Sequence, residues 1–119
     1  MSSNLDFRDK LLAWRRRLFE QVTDIEEELL ALTEDVDPEL ETEGQQENLS
    51  RLLARLDDRG KAEIEAIDRA LRRIAEGTYA TCVDCGGKIP EARLSAVLIA
   101  ETCLGCAAAR EKKRIPPRR

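Results

Sequence analysis

Two C-x-x-C pairs, Cys82/Cys85 and Cys103/Cys106, stand seventeen residues apart and constrain this chain more than any other feature of it. Two residues between thiols let one tight turn present both sulfurs to a single ion, and two such turns complete a tetrahedron. Gly86 and Gly87 follow the second cysteine, where the chain must turn sharply and backbone amides can point at sulfur. With all four positions taken by protein thiolates, no place remains for water or substrate, so the expected site is a closed, structural one for one zinc ion. Zinc with four thiolates carries a net charge of about −2, which Lys88, Arg93 and the N-terminus of the last helix are placed in sequence to offset. Three other uses of the cysteines stay open at this point: two disulfides, a redox dithiol, or iron in the same ligand set. A redox dithiol calls for a βαβ setting that the sequence lacks, and a reducing compartment opposes disulfides.

The residues before the cysteines read as two long helices. Leu18, Val22, Ile25, Leu29, Leu32 and Val36 are spaced 4, 3, 4, 3, 4, with Leu11 extending the stripe and Trp14 and Phe19 beside it. This is a heptad seam, and it predicts one helix over about 5–36. Leu49, Leu53, Leu56 and Gly60 keep the same rhythm, and Ile64, Ile67, Leu71 and Ile74 resume it, predicting a second helix over about 43–76. The successive four-residue steps around Gly60 make a stutter, which predicts a local irregularity there rather than a break. Asp37-Pro38 and Gly44 punctuate the short connection, which favours antiparallel neighbours whose seams bury each other. The expected fold is therefore mainly all-α: a long antiparallel helical hairpin (coiled coil) over 1–76 with its tip at about 37–44. A small four-Cys zinc module over 77–113 follows, ending in a short helix from about Cys103 to Lys113, and then a basic, disordered tail over 114–119. An intramolecular hairpin in a monomer is expected ahead of a dimeric bundle.

Composition supports this reading and narrows the function. Charged residues make up 37% and aromatics 3%, which suits exposed helices better than a compact globule. The net charge of −4 argues against a dedicated DNA-binding protein. No run of about 18 apolar residues exists, so no membrane span is expected. The opening MSSNLDFRDK lacks the apolar core of an export signal, so a cytoplasmic location is expected. The absence of histidine removes the commonest general base. With no open metal position and no phosphate loop either, the chain is not expected to be an enzyme.

The order of parts carries a family resemblance. After the helical pair come Gly77-Thr78-Tyr79, Cys82-x-x-Cys85-Gly86, Ile89-Pro90, Arg93-Leu94 and Cys103-x-x-Cys106, and the lead-in Asp9-Lys10-Leu11-Leu12-Ala13-Trp14-Arg15 matches as well. The chain resembles the DksA/TraR family of bacterial transcription regulators over nearly its whole length. The resemblance implies a protein that binds RNA polymerase directly, without sequence-specific contact to promoter DNA. Its coiled coil would enter the secondary channel, acidic tip residues would alter the stability of promoter complexes, and the zinc end would rest outside.

Departures from the family pattern sharpen the expectation. The family places Asp-x-x-Asp-Arg-Ala at the tip after Asp-Pro. Here Asp37-Pro38 keeps the opening, but Leu40 takes the second acidic position and Glu41 the arginine position. Asp37, Glu39 and Glu41 are the candidate polymerase-binding residues, in an acidic stretch whose alternative is a solvated loop. The family's site for guanosine tetraphosphate uses basic side chains at three positions that here hold Ala66, Val97 and Ala107, with Arg69 and Arg110 nearby in sequence. An alarmone response is therefore expected to be absent. The rival reading is a zinc-stapled coiled-coil adaptor that binds some other protein.

Overall fold

The computed structural model describes residues 4–33 and 43–114. The chain divides into two compact units, Asp9–Ile67 and a second one made of Met1–Arg8 with Asp68–Arg119. Among the described residues six helices follow in order: α1 (Asn4–Glu20), α2 (Glu26–Thr33), α3 (Glu43–Arg55), α4 (Asp58–Glu76), α5 (Glu91–Ala96) and α6 (Leu104–Arg114). Among the described residues the only β pairing is an antiparallel bridge between Thr81 and Lys88. The fold is all-α, with a hairpin of helices followed by a four-cysteine module that ends in a short helix. The tip residues Asp37, Glu39 and Glu41, with Val36, lie outside the described residues, as do residues 115–119 of the tail.

Within Asp9–Ile67 helices α2 and α3 run antiparallel. The Asn48 side-chain amide donates to the Glu28 carbonyl at 3.1 Å, and Arg55 donates to the Val22 carbonyl at 3.3 Å. The later residue of each pair rises as the earlier one falls, which only antiparallel helices allow. Each arm, however, is two helices where the heptad pattern predicted one.

The first arm stops at Glu20 and turns. The amides of Val22 and Thr23 both donate to the Phe19 carbonyl, closing α1. Thr23 then holds the turn with its hydroxyl, which accepts the Ile25 amide at 3.2 Å and donates to Glu28 at 2.7 Å. Arg15 reaches the Leu32 carbonyl at 2.9 Å. In one straight helix, residues seventeen apart would be about 25 Å apart, beyond any side chain, so the chain must bend back between α1 and α2. The Arg15 guanidinium also lies 5.3 Å from the centre of the Phe19 ring, a cation–π contact. Glu26, Glu27 and Glu28 crowd the first turn of α2, where the helix dipole favours them.

The second arm breaks as well, at Leu56–Asp57, three residues before the irregularity expected at Gly60. Asp57 caps the new helix by accepting the Gly60 amide at 2.7 Å, and such a cap is worth about 1 kcal/mol. A Cβ on Gly60 would meet that Asp57 oxygen at 3.2 Å and the Leu56 Cβ at 3.3 Å, so the small residue serves the cap.

The double break rotates the buried stripe. Leu11, Leu18, Leu29, Leu32, Leu56, Ile64 and Ile67 are buried as the seam requires. Leu49, Leu53 and Val22 are only half-buried, and Ile25 is exposed. Phe19, Asn48 and Leu52 are buried instead. A heptad seam assumes one partner per helix, whereas α2 here packs on α3 and is also tied to α1 through Arg15 and Arg16. Leu52→Ala should therefore cost about 2–5 kcal/mol and Leu53→Ala about 1 kcal/mol in urea unfolding. Equal losses would restore the seam drawn from the heptads.

Candidate metal centre

The C-terminal module begins where α4 ends. Gly77 adopts φ 79°, the left-handed conformation that glycine takes without penalty. The Thr78 amide reaches back to the Arg73 carbonyl and the Gly77 amide to the Ile74 carbonyl, the paired bonds of a Schellman cap. Tyr79 is buried, donates to the Leu98 carbonyl at 2.6 Å and lies 5.5 Å from the Phe7 ring. Burial pushes its phenol up to about 12.

The first knuckle is a tight turn. The Cys82 amide donates to the Gly87 carbonyl at 2.7 Å and the Gly86 amide to the Cys82 carbonyl at 2.9 Å. Gly86 supplies φ 74°, which the turn needs. The Gly87 amide points at the Cys85 sulfur at 3.4 Å, the amide-to-thiolate contact that the Gly-Gly pair suggested. The second knuckle is the start of α6: the Ala107 amide donates to the Cys103 carbonyl, and Cys106 sits in the first turn of the helix. There the partial positive charge of the helix N-terminus favours a thiolate. The Val83 amide, donating to the Glu101 carbonyl at 2.9 Å, joins one knuckle to the other.

These turns gather the four sulfurs of Cys82, Cys85, Cys103 and Cys106 within 4.8 Å of one another. The Cys85 and Cys103 sulfurs are 3.9 Å apart, against an edge of about 3.8 Å for a tetrahedron with 2.3 Å zinc–sulfur bonds. None of the four is joined in a disulfide. Their protonation shows why a cation is wanted. Burial raises the Cys82 thiol, but the backbone amides of Cys85, Cys103 and Asp84 outweigh it and bring it down to about 6. Hydrogen bonds to the Cys103, Cys82 and Cys85 sulfurs push Cys106 up to about 12. A divalent cation among the four sulfurs would favour the thiolate form of each, because a coordinating thiol gives up its proton.

The support around the sulfurs differs from the sequence reading. Lys88 is exposed, and Arg93 donates to the Thr102 carbonyl at 2.8 Å, bracing the backbone before Cys103. The cation beside the knuckles is Arg110, which grips Asp84 through two hydrogen bonds of 2.7 Å. Asp84 lies between the first two ligands and Arg110 one turn after Cys106, so this bond clamps α6 onto the first knuckle. Its sequence signal was the i, i+4 spacing of Cys106 and Arg110 on one helix face. Glu101 accepts from Arg69 at 2.9 Å and from Arg73 at 3.1 Å, while Arg73 also donates to the Ala100 carbonyl. Burial acts to raise the Glu101 carboxyl, but the two arginines hold it below the usual carboxylate range. The short helix α5, entered through Pro90 and anchored by buried Leu94, links the knuckles.

Residues 77–112 match the prokaryotic dksA/traR C4-type zinc finger. The whole chain is similar to the solved structure of transcription factor DksA2 from Pseudomonas aeruginosa, with a TM-score of 0.60 at 30% identity, covering 92% of this chain and 84% of that one. The chain belongs to the DksA/TraR family. Family membership and the four clustered sulfurs together make zinc its metal, one ion per chain. The DnaK suppressor protein from Agrobacterium tumefaciens C58 is similar too, with a TM-score of 0.57 at 36% identity over 92% of this chain and 96% of that one. A curated relative, the RNA polymerase-binding transcription factor DksA of Caulobacter vibrioides, is 34% identical over 90 residues, which is 76% of this chain and 63% of the relative. No helix among the described residues of this DksA/TraR protein is long and apolar enough to cross a membrane.

Elemental analysis of protein purified without chelator should find one zinc per chain. Cys85→Ser or Cys103→Ser should lose the metal and unfold the module, because zinc binding and folding are coupled in sites of this kind. A metal-free protein that keeps its folded module would overturn this.

Proposed function

We propose that this protein regulates bacterial transcription by binding RNA polymerase through its secondary channel, not by contacting promoter DNA. The observation that carries the reading is similarity along nearly the whole chain to DksA proteins, one of them named as RNA polymerase-binding. In this reading Cys82, Cys85, Cys103 and Cys106 ligate one structural zinc, and the module over 77–113 serves as the outer rest. The hairpin over 1–76 enters the channel and presents Asp37, Glu39 and Glu41. The protein acts in the cytoplasm as a monomer and by binding, without catalysis. A net charge of −4 suits a protein partner better than DNA.

Zinc contributes folding free energy here and no reaction step. The chain's own residues do the positioning: the Asp84–Arg110 clamp and the Arg69/Arg73–Glu101 cluster set the second knuckle against the first and against the end of α4.

The alarmone expectation gains a physical reason. Val97 and Ala107 bring no charge, and Ala66 is buried. The arginines that might have replaced the missing cations are already engaged, Arg69 and Arg73 with Glu101 and Arg110 with Asp84. A polyphosphate would have to displace those carboxylates before it gained any charge-assisted bond.

A cleavage probe attached at residue 37 should cut RNA polymerase close to its active site. Cuts confined to the outer surface would refute the channel route. In vitro transcription with polymerase lacking its other alarmone site should show the same effect of this protein with and without guanosine tetraphosphate, and a several-fold potentiation would show that other residues hold the nucleotide.

A further inference from the structure

The strongest unexplained feature lies in the first arm. Its heptad seam runs through the turn at residues 21–25 without a glycine or proline to stop a helix. Leu18, Leu29 and Leu32 on either side are buried, yet of the two seam residues between Leu18 and Leu29, Val22 is only half-buried and Ile25 is 47% exposed. A seam position is apolar because some arrangement of the chain buries it. The turned form does not bury this one.

Beyond the backbone bonds to the Phe19 carbonyl, what holds the turn is made of side chains, some of them distant in sequence. Thr23 bonds the Ile25 amide and Glu28. Arg16 bridges Glu20 and Glu26, in contacts with exposed partners. Arg55 takes the freed Val22 carbonyl, and Arg15 takes the Leu32 carbonyl. Among the described residues no non-glycine has positive φ, so the backbone at the turn needs no conformation that a helix could not replace. The break in the second arm is different in kind. It leaves Leu56 and Ile64 buried, so nothing apolar is displaced by it.

We propose that the first arm is a two-state element: a turned form, with α1 bent back on α2, and a straight form in which residues 4–33 make one helix. Straightening exchanges the Thr23, Arg15 and Arg55 contacts for continuous helical hydrogen bonds and burial of Ile25. It also removes Glu26, Glu27 and Glu28 from a helix N-terminus, so the helix dipole favours the turned form. A partner that accepts only a straight arm would draw the equilibrium that way. The inference does not depend on the identity of that partner.

The test uses the full zinc-loaded chain, with nitroxide labels carried on non-cysteine unnatural residues at exposed Ala13 and Leu30 and distances read by pulsed electron resonance. In the straight form the two sites are about 25 Å apart along the helix, and in the turned form they are closer. Both populations are expected in the unmodified chain. Thr23→Ala should raise the share of the longer distance several-fold, and Ile25→Asn should lower it, with zinc content unchanged in both. A single distance that neither substitution moves would overturn the proposal. So would two populations that both substitutions shift in the same direction, since that would mark general loosening and not a switch.

Discussion

Four thiolates within reach of one ion repel one another, and the C-terminal half of this protein is organised around removing that repulsion. Zinc does most of it. The protein supplies the rest through the Gly87 amide, the start of α6 and Arg110, each directed at or beside a sulfur-bearing turn. The module has few large apolar side chains, and a core that small relies on a metal to stay folded. The Tyr79–Leu98 bond, the Arg93–Thr102 bond and the Glu101 cluster all act on the backbone that carries the ligands. They hold the knuckles in place around the gathered sulfurs.

The helical half is governed by a different constraint, the need of each broken helix to satisfy its ends. A helix leaves its first amides and last carbonyls unbonded, and two breaks add two sets of such groups. Thr23 and Asp57 take up amides at the two new starts. Arg55 and Arg15 take up the carbonyls of Val22 and Leu32. The abundance of arginine and glutamate in the arms is thus more than a solvated coat. Some of these side chains replace the hydrogen bonds that continuous helices would have made. Arg15 goes furthest in this, being buried itself and stacked on Phe19.

Membership of a polymerase-binding family and the engaged arginines of the module bear on regulation together. Arg69, Arg73 and Arg110 serve the fold here, each bound to a carboxylate of the module. The same residue type can bind a phosphate or a carboxylate, and the nearest carboxylate decides which. Glu101 and Asp84 are those carboxylates here.

The sequence by itself determined which four residues could share one ion, Cys82, Cys85, Cys103 and Cys106, because two residues between thiols let one short turn carry both sulfurs. It also determined the helical character of the arms, the antiparallel pairing, and the burial of Leu29, Leu32, Ile64 and Ile67, since periodicity reports which face is apolar. Only the tertiary structure decided where the helices break, that Leu52 and Asn48 face inward in place of Leu49 and Leu53, and that Arg110 rather than Arg93 stands beside the knuckles. Those outcomes rest on pairs such as Arg15–Leu32, Arg55–Val22 and Asp84–Arg110, whose members are separated by 17, 33 and 26 residues. A heptad records one helix against one neighbour, and it carries no mark of a third helix tied back to the same arm.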